Sequence, residues 1–372
     1  MTCLKYLVPL LAPFAVYSMF TFADVNGTIV AVKSARASGI IPGEDTTRLI
    51  LTYTGIGPLD NVFVEVVIGF WATGRGTICA HLMCCILFLC AMVAAWILLF
   101  VELTRRRGPI EATVRAGILG LIAQIIGPGI VIPVLVAWDL FRIEPYDSPI
   151  QDSTHSLVQD ILPLGTICAG IPPFATLLIP TPYVVGYDLK QCLIVIFQFW
   201  PVIASVATLA LFSSHGSRLQ EQKPHKWTPC LDTPYGLALL CAGGFHLSVY
   251  TLGIVAQIVP ELFGPDTAAD IHPFRIVLPT LPWSGARATS IEEGVFWLLQ
   301  WDYLIASVSL LIWALEYTSS RQRPSVSFAL RALVLAVICG PTGAAVKLMW
   351  ERATRIESER EKVTTGINEH VK

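Results

Sequence analysis
The order of apolar and polar positions divides the chain into about eight or nine helical segments joined by polar or Pro/Gly-rich connections. Residues 1–23 open with an apolar run led by Lys5 and interrupted by Pro9 and Pro13, which predicts a retained first span rather than a cleaved leader. Residues 60–71 are apolar around Glu65 but fall short of the roughly 20 residues a spanning helix needs. Thr77 to Val101 is a full span, closing in Glu102 and the Arg105-Arg106-Arg107 cluster, the best positive-inside signal in the chain. Ala116 to Phe141 is predicted as one span broken by Gly127-Pro128-Gly129 and Pro133. Such breaks persist at membrane depth only where neighbouring helices, side chains or water satisfy the freed backbone. Further spans follow at residues 160–180, 189–212 and 235–259, the last carrying Gly243-Gly244 and His246. Gly294 to Leu315 (GVFWLLQWDYLIASVSLLIWAL) and Ala329 to Trp350 complete the set.

The connections refine this picture. Asp24 to Leu59 is polar and holds the sequon Asn26-Gly27-Thr28, a glycosylation acceptor if the loop is lumenal. Pro260 to Glu293 is acidic and Pro-rich, with an apolar patch at Ile276 to Leu278 and Trp283; it reads as a lid lying in the membrane interface. One transmembrane helical domain is expected over residues 1–350, with extramembrane loops at 24–59 and 260–293 and a polar, mixed-charge tail at 351–372. Lys223, Lys226 and Arg321 to Arg323 conflict with a simple alternation of sides, so charge alone sets no orientation.

Composition agrees with the pattern. The chain is 54% hydrophobic and 14% charged, against about 25% charged residues in soluble domains. An all-α, polytopic helical bundle embedded in a lipid bilayer is therefore expected. A net charge of −2 and the lack of a basic stripe argue against nucleic acid as a partner. Cys79, Cys84, Cys85 and Cys90 share one apolar run and act there as small hydrophobes; no second CxxC or HxxxH completes a metal site with His81.

The candidate chemistry centres on Asp302, an acid well inside an apolar run. Such an acid normally faces the bundle interior or a wet cavity, either for function or simply to hydrogen-bond another helix. Trp297 and Trp301 lie four apart on one helix face, and Tyr303 follows directly. Desolvation favours the neutral acid, and aromatic faces stabilise cations by about 2 kcal/mol or more when desolvated. Together these suit protonation of an alkene or epoxide to start a carbocation. Glu65 is a second catalytic candidate, as the base that ends the reaction or a group that orients Asp302, with plain helix packing equally open. Gln124, Asp139 beside Trp138, and His246 are candidate contacts for a substrate. A helix-to-helix hydrogen bond competes for His246, and relief of the backbone freed by Pro128 competes for Gln124. Glu102 with Arg105 reads first as a structural ion pair.

Several motifs carry a resemblance: YTGIGPLD (Tyr53 to Asp60) leading to Gly69-Phe70-Trp71, a span ending in Glu102-Leu-Thr-Arg105, Q-x-x-G-x-x-x-x-x-P (Gln124 to Pro133), and LLQWD (Leu298 to Asp302) with Trp313. Over most of its length the chain resembles a group of fungal integral-membrane proteins of meroterpenoid and indole-diterpenoid biosynthesis, which includes membrane-bound terpene cyclases. It departs from that pattern at Ala72, where a Pro usually follows the aromatic pair. The resemblance implies an endoplasmic-reticulum enzyme that protonates a prenylated, epoxidised small molecule and lets it cyclise without a cofactor. An epoxidase and a prenyltransferase would act upstream. It further implies Asp302 as the acid, with Asp60, Glu102 and Gln124 shaping the site. The sequence lacks DDxxD and DxDD, and also P-loop, GxSxG and HExxH signatures. Rival readings are a membrane isomerase that shifts a sterol or prenyl double bond, a transporter of a small hydrophobic metabolite, and a non-catalytic scaffold.

Overall fold
A computed structural model describes residues 3–44, 46–74, 79–142, 161–221, 232–319 and 325–370. Asp160, Lys223, Lys226 and the 321–323 turn lie outside the described residues. Among those described, regular structure is helical throughout, with one isolated bridge between Ile40 and Arg48. In chain order the helices are α1 (Leu4–Val25), α2 (Thr28–Ser38), α3 (Gly57–Gly74), α4 (Cys79–Thr104), α5 (Pro109–Ile126), α6 (Pro128–Leu140) and α7 (Leu162–Leu178). Then come α8 (Tyr187–Phe197), α9 (Trp200–Glu221), α10 (Thr233–Ile258), the short α11 (Pro265–Asp270) and α12 (Pro273–Val277), α13 (Ile291–Ser319) and α14 (Val326–His370).

Six of these, α1, α4, α5, α10, α13 and α14, are long and apolar enough to cross a bilayer. The α8–α9 pair, bent by 66°, adds a seventh if it is one broken span. The protein is thus an all-α integral membrane protein. The apolar segments seen in the sequence all become helix, but α6 and α7 are too short to span alone. The expected single span from Ala116 to Phe141 is two helices, because Gly127 (φ 102°) takes a backbone shape open to glycine and Pro128 starts a new helix.

At the centre stands α13, packed against α1, α2, α3, α4, α6 and α14. From Leu299 to Tyr303 every residue is buried, as expected of a helix enclosed on all sides. The 24–59 loop is more ordered than its polarity suggests, since it contains α2. Asn26 is 2% exposed, and its Oδ1 accepts from the Thr28 N–H and hydroxyl. The sequon therefore closes a tight turn at the start of α2 and is buried. The tail is not separate either: α14 runs through residue 351 and buries Arg352, Ala353 and Ile356.

A kink at Gly340 (φ 71°, ψ 163°) bends α14 just before Pro341. Pro341 has no N–H for the Val337 carbonyl one turn back. The His246 ring of α10 packs against this kink and stacks on Tyr250 at 4.4 Å. Gly340→Ala would place a methyl 2.7 Å from His246 Nδ1 at a positive φ. We expect it to lower stability by about 1–3 kcal/mol in thermal unfolding of detergent-solubilised protein. Gly236→Ala, whose methyl meets open space within a helix, should be neutral or slightly stabilising.

Candidate active site
The Asp302 side chain is 4% exposed and aimed at the start of α6. The first N–H groups of a helix have no partner within it, and α6 begins deep in the bundle. Asp302 Oδ1 accepts the Gly129 N–H, the carboxyl group's one hydrogen bond among the described residues. Glycine at 129 is required by proximity: a Cβ there would sit 2.8 Å from Oδ1 and 3.1 Å from the Asp302 backbone. At Gly127, Met19 of α1 closes the same spot from the other side.

The aromatic residues around Asp302 divide between neighbours. Trp297 stacks on Phe22 of α1 at 5.7 Å, and Trp301 meets Phe14 of α1 edge-on at 5.3 Å. The Trp301 indole donates to the Thr280 carbonyl at 3.0 Å, and the Gln300 amide donates to the carbonyls of Arg275 and Ile276 at 2.7 and 3.0 Å. The 260–293 segment is therefore pinned onto α13 one and two residues before the acid. Tyr303, the residue after the acid, is also buried, at 3% exposure.

Beside the α6 N-terminus lies a narrow apolar crevice between α4, α5, α6 and α9, partly open at its rim, with a cavity volume of about 40 Å³. Trp96 and Trp200 form its aromatic wall, their rings 5.8 Å apart, and Gln124 contributes an amide. Pro128 lines it too, so the turn that carries Asp302 on one side walls the crevice on the other. Trp297, Trp301 and Tyr303 do not line it. The sequence reading missed Trp96 and Trp200. Trp96 lies four residues before Phe100, and the two rings meet at a tilt with centroids 5.5 Å apart, but ordinary helix packing leaves the same signal.

The CtvD domain family model matches residues 4–356. The chain belongs to the CtvD-domain family. Among curated proteins it is 27% identical to terpene cyclase penA of Penicillium crustosum, with 92% of this chain and 93% of that protein aligned. It is also 27% identical to terpene cyclase atmA of Aspergillus flavus (94% and 96% aligned) and 26% identical to terpene cyclase ctvD of Aspergillus terreus (81% and 84%). No solved structure matches it.

In this CtvD-domain chain the other acids singled out from the sequence are held in place by hydrogen bonds or cations. Asp139 takes hydrogen bonds from Arg106, Tyr317 and the Trp313 indole, the last at 2.9 Å. Glu102 pairs with Arg105 at 3.2 Å and with Arg352 at 3.3 Å, all three buried. Glu65 pairs with Arg36 at 2.7 Å on a partly exposed face, so its bond goes to α2 and not to Asp302. Asp60 accepts from the N–H groups of Tyr53, Thr54 and Gly55 and from the Thr54 hydroxyl, so YTGIGPLD is a turn closed by its own final acid. Burial pushes the Asp60 carboxyl up, but these hydrogen bonds outweigh it and hold the group below its ordinary value.

Two predictions follow from these partners. Glu102→Gln leaves Arg105 and Arg352 buried without their shared carboxylate, which should cost about 3–5 kcal/mol and show as loss of accumulated protein or a large drop in thermal stability. Because the Asp60 pKa is lowered on folding, its stabilisation is complete above the ordinary carboxylate range and lost as pH falls through the folded-state value. Limited proteolysis of the 53–60 turn should therefore quicken on acidification, and Asp60→Asn should flatten that dependence.

Proposed function
We propose that this protein is a membrane-bound terpene cyclase of fungal secondary metabolism, resident in the endoplasmic reticulum, with Asp302 as its proton donor. The observation that carries the reading is the contrast among three intramembrane acids: Glu102 and Asp139 are tied to arginines, whereas Asp302, among the described residues, is buried with one backbone N–H and no cation. A carboxyl group in that setting is the one whose proton is not already exchanged for an ion pair. The activity named for the aligned relatives, which extend over nearly the whole chain, supports the same reading.

In this mechanism a prenylated and epoxidised small molecule enters from the bilayer and folds against apolar walls. Asp302 gives its proton to the epoxide oxygen or terminal alkene. The C–O bond breaks or the double bond takes up hydrogen, and the cation left on carbon is attacked by the next double bond. Ring closure ends when a proton leaves the last cation. Aromatic faces lower the energy of each cation, and exclusion of water prevents its capture. Glu65, held by Arg36, is not assigned to the closing step.

Asp302→Asn is the sharpest test, because an amide oxygen still accepts the Gly129 N–H while the acid is gone. Microsomes expressing it with a farnesylated aromatic epoxide should contain normal amounts of protein and on the order of 10²–10⁴-fold less cyclised product. Normal product formation would mean that Asp302 serves only to cap α6.

A further inference from the structure
We propose that residues 273–283 form a re-entrant element inside the bilayer, with its outer side among the acyl chains of one leaflet and its backbone tied to α13 by Gln300 and Trp301. That placement holds whether or not the protein is a cyclase. The chain leaves α10 and later enters α13, two helices long enough to cross a bilayer, so the connection between them begins and ends at the membrane boundary. Its side chains sort onto two sides. Ile271 and Ile276 are buried in the bundle at 1% and 0% exposure, whereas Phe274, Leu278 and Trp283 are 66%, 61% and 64% exposed, with Leu281 at 48%. Both sides are apolar, which suits a segment with protein on one side and lipid on the other. The same outer surface continues onto α10, which packs against α11 and α12 and exposes Leu252, Ile254 and Ile258.

The backbone hydrogen bonds set the depth. Glu292 and Glu293 lie in the first turn of α13, and no charged residue follows until Asp302. At about 1.5 Å per residue, Gln300 lies about 10 Å beyond Glu293 along the helix. The Gln300 amide donates to the carbonyls of Arg275, Ile276 and Leu278 at 2.7, 3.0 and 3.4 Å, and the Trp301 indole to that of Thr280 at 3.0 Å. Residues 275–280 therefore lie alongside the apolar part of α13 and not above its polar end. Pro279 and Pro282 have no N–H to offer Arg275 and Leu278 four residues before them. In water, solvent serves such carbonyls; in lipid they must be paired within the protein. Two buried side chains of α13, directed at four carbonyls of the segment, meet that need. The one charged residue of the segment, Arg275, pairs with Asp270 at 3.2 Å, and Asp270 also accepts the Ala80 N–H in the first turn of α4. The guanidinium is thereby drawn toward the membrane boundary. Because Asp302 follows Trp301 directly, a surface in contact with lipid is bonded to the two residues that precede the buried acid.

The test uses the full-length protein in phosphatidylcholine vesicles that carry a photoreactive diazirine either midway along one acyl chain or on the headgroup. Labelled sites are mapped by mass spectrometry, with no turnover needed. The mid-chain probe should label Phe274, Leu278, Leu281 and Trp283, as it labels the Leu252 to Ile258 face of α10. Labelling of 273–283 by the headgroup probe alone would place the segment on the membrane surface and overturn the proposal. So would an absence of label from either probe while α10 is labelled, since water or a second copy of the chain would then cover this face. Gln300→Met keeps an unbranched side chain of similar length and removes the donors. It should lose most of the mid-chain label on 273–283 and gain oxidation there by hydroxyl radicals, with the α10 label unchanged. Unaltered labelling in that variant would refute the tie to α13. Should the variant fail to accumulate, the wild-type map alone decides the placement in lipid.

Discussion
The structure depends on how a helix can begin in the middle of a membrane protein. Every helix start leaves N–H groups without partners, and lipid cannot supply them. At the start of α6, Gly127-Pro128-Gly129 removes the side chains that would hold α13 away, and Asp302 accepts the Gly129 N–H. The interaction runs both ways. The break needs a buried acceptor, and the acid needs a donor at membrane depth. Met19, the Trp297–Phe22 stack and the segment pinned by Gln300 and Trp301 then enclose the pair. The helix break and the buried acid thus share a single contact.

Around that contact the polar groups separate by role. Toward one end of α13, Arg106 and Asp139 join Tyr317 and Trp313, and Arg352 reaches Glu102 while lying over the Tyr317 ring at 4.5 Å. These charges balance one another, as buried charges must. Asp302, about three to four turns away along the helix, has no such partner among the described residues. The aromatics separate as well: Trp297 and Trp301 hold α1 and the pinned segment to α13, whereas Trp96 and Trp200 pack together beside a narrow crevice.

Much of this was legible before any coordinates. A carboxylate inside LLQWDYLIAS and a Gly-Pro-Gly inside an apolar run are violations of the local pattern, and both mark the same place. Helical character, membrane residence and the family follow from runs and motifs that lie contiguous in sequence. What stayed hidden depends on contacts across the chain. Arg352 reads as part of a solvated tail until α14 brings it to Glu102, 250 residues away. Asn26 reads as a glycosylation acceptor because the motif is three residues long, whereas its burial depends on α2 and α13. Trp297 and Trp301 lie four apart on one helix face, but spacing does not show that Phe14 and Phe22 of α1 cover it. Trp96 and Trp200 gave no signal that set them apart from eight other tryptophans.

The central claim is that one carboxyl group, enclosed by protein and without a cation, carries a transferable proton. Infrared spectroscopy of the purified protein at neutral pH measures this directly, because a protonated carboxylic acid and a carboxylate absorb in separate regions. We expect a carboxylic-acid carbonyl band that shifts in deuterium oxide and disappears in Asp302→Asn. A spectrum without that band, or one in which the substitution leaves it unchanged, would contradict the account.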